Sequence, residues 1–153
     1  SGGLNNIASG TYSSIFGGRS NKSTSFSSSV TGGSANIASG DLSSVFGGKA
    51  NRSTASSSCA IGGSENTASG ENSFVVGGKD NQAENDYSVV TGGRENESSG
   101  EYSTVLGGRD NRGRGDYSAM IGGRNNDARG DYSVVYCGDD TSAGNFSCRR
   151  GSY

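Results

Sequence analysis

A pair of glycines returns every 15 residues along this chain. The pairs are Gly2-Gly3, Gly17-Gly18, Gly32-Gly33, Gly47-Gly48, Gly62-Gly63, Gly77-Gly78, Gly92-Gly93, Gly107-Gly108 and Gly122-Gly123, with an altered tenth at Cys137-Gly138. So short and fixed a period means one small structural unit stacked on copies of itself. It points to a long regular surface rather than an enclosed cleft. Composition alone argues otherwise. Only 29% of the 153 residues are apolar, against about 45–50% in ordinary globular domains, and such a chain reads as disordered because little is buried against the entropy of ordering. The period overturns that reading, since stacked strands bury one another and bond along a common axis.

Each unit is numbered here from the first glycine of its pair. Position 5 is Asn in all nine regular units: Asn6, Asn21, Asn36, Asn51, Asn66, Asn81, Asn96, Asn111 and Asn126. Position 12 is Ser in all nine: Ser13, Ser28, Ser43, Ser58, Ser73, Ser88, Ser103, Ser118 and Ser133. Position 7 is always small, position 14 is apolar, and position 9 is usually Gly. Positions 11–15 are rich in β-branched and aromatic residues and bounded by glycines, so they read as a strand; positions 5–8 read as a second, shorter one. The glycine pair turns one corner and position 9 the other, where positive φ is expected. The first and third units resemble each other, as do the second and fourth, which reads as a duplicated 30-residue block. The expected architecture is an all-β parallel β-roll or β-solenoid of about ten coils, spanning residues 1–138, with residues 139–153 as a last irregular coil or C-terminal cap. At the usual strand spacing the rod is roughly 45–50 Å long.

Side chains alternate in a strand, so positions 12 and 14 share one face and positions 11, 13 and 15 the other. Position 14 is expected to meet position 7 in a thin core, while Asn at position 5 and Ser at position 12 form polar ladders, each bonding its equivalent one coil away. The competing reading of both is as simple turn formers. Position 15 is also largely apolar (Phe16, Phe46, Ile61, Val76, Leu106, Ile121, Tyr136). A strand apolar on both faces is buried on both faces, and one coil cannot cover its own second face. The chain is therefore expected to pack against copies of itself about a closed symmetry axis.

The unit Ser-x-Val-x-Gly-Gly-x-x-Asn-x-Ala-x-Gly resembles the head repeat of trimeric autotransporter adhesins, the YadA-like heads. Ser133, Val135 and Gly138 are similar to that family's strand; Ala128 and Gly130 are similar to its second strand and turn. Two departures stand out: one extra Gly per unit, and Asn where the family commonly has Ser. The last unit, Cys137 to Arg150, has the family's shorter length. The resemblance covers about residues 1–148 and implies a left-handed β-roll, three parallel chains about one axis, and a surface-adhesion role. The family's neck and membrane anchor have no counterpart in this stretch. An array of this kind equally fits a viral or phage fibre, or a surface protein of another organism.

Several features invite a sharper function. Arg-Gly-Asp occurs at Arg114-Gly115-Asp116 and at Arg129-Gly130-Asp131, both at the 9–10 corner. Integrin recognition is one reading; the other is that Gly at 9 and an acid at 10 are already the local pattern. Position 10 is acidic in five successive units (Glu71, Asp86, Glu101, Asp116, Asp131), and position 3 offers a basic column over four successive units (Lys79, Arg94, Arg109, Arg124). Ion pairing between these two columns is the favoured reading and bound Ca²⁺ the alternative. Tyr87, Tyr102, Tyr117 and Tyr132 form a column at position 11, read as a packing surface before a glycan strip. Cys137 and Cys148 lie where the repeat breaks and are placed to close a disulfide in an oxidising compartment; Cys59 reads as a buried or axial thiol. Asn21, Asn51, Asn96 and Asn145 head glycosylation sequons, and glycans on the first three contradict an inward position 5.

Catalysis is not expected. Without His there is no His-based triad or base, the cysteines lack zinc-ligand spacing, and no Gly-Lys-Ser/Thr follows the glycine pairs. No cofactor is expected. A net charge of −2 is too weak to imply nucleic acid, and no apolar run is long enough to place a membrane span. Residues 1–76 sum to +1 and residues 77–153 to −3. The chain begins at a repeat boundary without a Met, so it is expected to be a segment of something longer. The leading function is a structural and adhesive segment of an extracellular or surface-displayed fibrous protein, a homotrimer that binds host surface protein or glycan. The alternatives are an ice-binding solenoid, for which charge in the second half is an obstacle, and a purely structural filament.

Overall fold

The computed structural model describes residues 2–145 and 147–150, excluding the Arg150 side chain. Residues 146 and 151–153, part of the expected cap, lie outside the described residues. The chain is an all-β solenoid in which every coil contributes one strand to each of two ten-stranded parallel sheets. One sheet is built from position 6–7 strands such as Thr67–Ala68 and Gln82–Ala83; the other from position 13–15 strands such as Phe74–Val76 and Val89–Thr91. A third ladder of single bridges joins position 3 of each coil to the next, from Leu4↔Arg19 to Arg124↔Asp139. Register advances by one repeat per coil, as in Val75↔Val90 and Val90↔Val105. In the last coil it advances by one residue less, pairing Val134 with Cys148.

The strands are shorter than the sequence implies. Positions 11 and 12 precede the long strand and position 5 precedes the short one. The glycine pair turns with positive φ as expected, at +63° for Gly62 and +75° for Gly63, but position 9 does not: positive φ otherwise occurs at positions 4 and 11, as at Ala50 (+56°) and Tyr87 (+56°). The reason is visible in the hydrogen bonds. Strand N–H groups donate to the following coil, as Phe74 does to Ser88 at 2.9 Å, whereas Tyr87 donates back to Glu71 at 2.9 Å and Asp80 back to Ser64 at 3.1 Å. Left-handed residues turn the peptide round, so the corners stay bonded without interrupting the stack.

Glycine at position 9 answers a different need. A Cβ on Gly40 would collide with the Ala55 carbonyl of the next coil, so this corner demands close approach rather than positive φ. The second glycine of each pair needs both. Gly63 has φ +75°, and a Cβ there would strike the Gly78 carbonyl and the Asn66 amide.

The core is one side chain thick. Val30, Val45, Val75, Val90, Val105, Met120 and Val135 at position 14 are at most 1% exposed, and Ala38, Ala68, Ala83 and Ala128 at position 7 are fully buried with them. Position 14 thus meets position 7, as the alternation requires. Each coil buries little, but parallel ladders satisfy the backbone along the whole rod.

Candidate functional site

In a rod of identical coils, a column of equivalent side chains is the natural unit of a site. The interior columns come first. Asn66 accepts the Asn81 backbone N–H on Oδ1 at 3.0 Å and donates from Nδ2 to the Gly62 and Gly78 carbonyls at 3.2 and 3.3 Å. The pattern runs from Asn6 to Asn126, whose Oδ1 receives the Thr141 N–H at 2.9 Å. The asparagines therefore form a ladder that bonds mostly to backbone; Asn126 to Asn111 adds a side-chain bond at 3.0 Å.

The serine column does not form the expected coil-to-coil ladder. Position 12 reaches across its own coil to position 7: Ser28 to Ser23 at 2.8 Å, Ser58 to Ser53 at 2.7 Å, Ser103 to Ser98 at 2.5 Å. Where position 7 is Ala or Gly that partner is missing, and the hydroxyls of Ser13, Ser43, Ser73, Ser88, Ser118 and Ser133 are buried without a hydrogen bond. Position 12 points inward in a one-side-chain core, so its partners lie within its own coil: position 7 opposite, and the position 9 carbonyl, to which Ser28 and Ser58 donate at 2.8 and 2.7 Å.

The outer face of the long-strand sheet carries positions 13 and 15, flanked by position 11. Tyr87, Tyr102, Tyr117 and Tyr132 stand beside it 42–52% exposed, with successive ring centroids 4.7–5.0 Å apart and planes within 8° of parallel. Their faces cover one another and leave edges outward, which suits packing better than sugar stacking on ring faces. The position 15 column is open to solvent, with Phe16 72% exposed. None of the 27 residues at positions 11, 13 and 15 of the nine regular units is charged. Cys59 sits in the middle of this face, half-buried rather than interior, and burial raises its thiol pKa to about 11.

The charged columns pair differently from the expectation. Position 3 cations meet position 4 acids: Arg94 with Glu95 at 3.1 Å, Arg109 with Asp110 at 3.3 Å, and Lys79 with Glu65 at 3.8 Å and Asp80 at 3.6 Å. Arg124 bonds Asp139 through two nitrogens, which raises the Arg124 pKa and holds the Asp139 carboxyl below its ordinary range. Position 10 acids have no ion pair among the described residues. The aspartates among them accept backbone N–H groups of the preceding coil, as Asp86 does from Glu71 and Asp116 from Glu101, both at 2.8 Å. Positions 3 and 4 share a corner, whereas position 10 lies beyond the short strand. Among the described residues no group of three or more acidic, Cys or His side chains could hold a metal ion.

Both Arg-Gly-Asp corners are tied into this framework. Arg114 and Arg129 converge on Asp127 at 3.3 and 2.7 Å, and Asp131 accepts the Asp116 N–H at 3.1 Å. Asp127, 9% exposed, lines a hollow of about 240 Å³ with Arg112, Asn125, Arg129 and Asp140 at the end of the regular array. Cys137 and Cys148 are free thiols, so the expected disulfide is not formed. Asn21, Asn51 and Asn96 are fully enclosed by the ladder, while Asn145 is exposed.

Reading the sequence for motifs missed two features that only a tally of charge against repeat position displays. One is the charge-free face. The other is a set of four cations, Arg19, Lys22, Lys49 and Arg52, that find no ion pair among the described residues, although every cation from Lys79 to Arg129 has one. No protein-family model and no curated protein matches this chain.

Proposed function

We propose that this chain is a structural and adhesive segment of a fibrous, surface-displayed protein, in which copies associate in parallel through one face and offer the other faces to host or surface ligands. The observation that carries this reading is the charge-free outer face of the long-strand sheet. Elsewhere on the surface charge gathers at positions 3, 4, 6, 8 and 10, most densely from Glu65 onward. Its absence from a strip running the whole length, with Phe, Val, Ile, Leu and Tyr among the residues there, is the pattern of a surface covered by an equivalent surface. The family resemblance of the repeat supports three copies about one axis. Mass measurement in solution tests this: a trimer is expected, and a monomer at high micromolar concentration overturns it.

The same absence of charge favours a second reading, an ice-binding face. Alternation of Phe16, Thr31, Phe46 and Ile61 along position 15 breaks the flatness that such a face needs. Thermal hysteresis in a solution of the chain would establish that reading in place of the first.

A further inference from the structure

Arg19, Lys22, Lys49 and Arg52 fall on two neighbouring ladders of the first four coils. Arg19 and Lys49 occupy position 3 of the second and fourth coils; Lys22 and Arg52 occupy position 6 of the same coils. The bridge ladder runs Leu4↔Arg19↔Ser34↔Lys49, and the short-strand ladder runs Ile7↔Lys22↔Ile37↔Arg52. Cation pairs therefore alternate with uncharged pairs, recurring every second coil, about 9–10 Å apart. All four are exposed, and positions 3 to 6 of the first four coils contain no acid. Leu4 and Ile7, 59% and 50% exposed, flank the first pair, and Ile37 lies between the two. The strip is opposite in character to the second half of the rod, where each position 3 cation has an acid beside it: Asp80, Glu95 and Asp110 at position 4 for Lys79, Arg94 and Arg109, and Asp139 for Arg124.

We propose that this strip binds an acidic polysaccharide, with anionic groups on the cation pairs and intervening uncharged sugar on the apolar positions. The proposal rests on the adhesive reading above and supplies its ligand class. Pairs spaced by about one Debye length act together on a polyanion. The strip carries no aromatic side chain on which the bases of a single-stranded nucleic acid could stack. A stiff duplex laid along the rod would also run over the acidic columns of its second half.

The test uses the whole chain and heparin as the sulfated polysaccharide, with dextran, a short DNA duplex and vesicles containing phosphatidylserine as the other arms. Binding to heparin but not dextran is expected, weakening with salt at a log–log slope near 3, as about four released counterions require. The variant R19S/K22S/K49S/R52S is expected to lose at least tenfold in affinity at an unchanged melting temperature. The charge-matched variant R94S/R109S/R112S/R124S, which removes paired cations, is expected to keep wild-type affinity within threefold. No heparin binding by the wild type, equal loss in both variants, or tighter binding to duplex or vesicles overturns the proposal. A monomer that binds heparin removes the bundle but keeps this site; a trimer that does not bind removes the site alone.

Discussion

At the scale of single residues, position 7 decides whether the serine opposite is satisfied. Ser98 pairs with Ser103, whereas Ala83 leaves Ser88 buried and alone. Ala83→Ser is therefore expected to stabilise the rod by about 1 kcal/mol, and Ser98→Ala to cost about 1–3 kcal/mol through the orphaned Ser103 hydroxyl. Urea denaturation of both variants checks this, and a gain from Ser98→Ala would sink it. The left-handed corners give a second expectation. Ala50 has φ +56°, a conformation costing a non-glycine residue about 1 kcal/mol, so Ala50→Gly is expected to raise the melting temperature by a few degrees. That corner was hard to read in the sequence, because Ala, Ser and Glu share position 4 with Asp and Asn, which dilutes the left-handed preference of the last two. The asparagine column was legible as a ladder, since one amide repeated at one position implies a repeated partner. Its partners were not, because they are backbone groups that only the stack brings near.

At the scale of the element, the two sheets divide the work. The short strands place one small residue inward, and the long strands place Val or Met opposite it while turning a second, charge-free set outward. Beside that outward face the tyrosines pass from coil to coil as one stack. Each inner ring has two neighbours, and an aromatic pair contributes about 0.5–1.5 kcal/mol. Tyr102→Ser is thus expected to cost about 1–3 kcal/mol, and Tyr87→Ser, at the first end of the stack, about half as much; equal losses in thermal melts would show that the rings act separately. The sequence placed these tyrosines in the strand, whereas they lie at the corner before it. β-propensity reads a side chain's fit to a pleated surface and cannot distinguish a strand from an aromatic stack beside one. Ion pairing was misplaced for a related reason. Positions 3 and 10 carry opposite charges, but position 4, with its reversed peptide, brings its acid to the same corner as position 3.

At the scale of the whole molecule, the 15-residue period dictated the solenoid and the inward set, and the remaining question is what covers the outward face. A charge at its centre discriminates. Val76→Arg is expected to leave the coils folded by circular dichroism and convert the associated species to monomer in sedimentation; an unchanged mass would remove that face from the interface. Cys59 reports direction. In a parallel bundle with closed symmetry it lies level with the Cys59 of each neighbour, so mild oxidation is expected to trap a covalent dimer, which Cys59→Ser abolishes and an antiparallel pair would not form. Its raised pKa adds a pH dependence. Folding keeps the thiol protonated, so stability from this group is complete below the unfolded value near 9 and lost as the pH rises toward about 11. Melts between pH 8 and 11, compared with Cys59→Ser, read it.

Every ladder bond described above runs along the rod, from one coil to the next. Tension applied end to end therefore does not shear many bonds at once, as it would in strands lying along the force; it opens one coil at a time. Each release lengthens the chain by roughly 45–50 Å, fifteen residues at full extension less one strand spacing. Single-molecule pulling is expected to give evenly spaced steps of that size at low force. A segment built this way yields to a load by paying out length, and it rewinds when the load is removed.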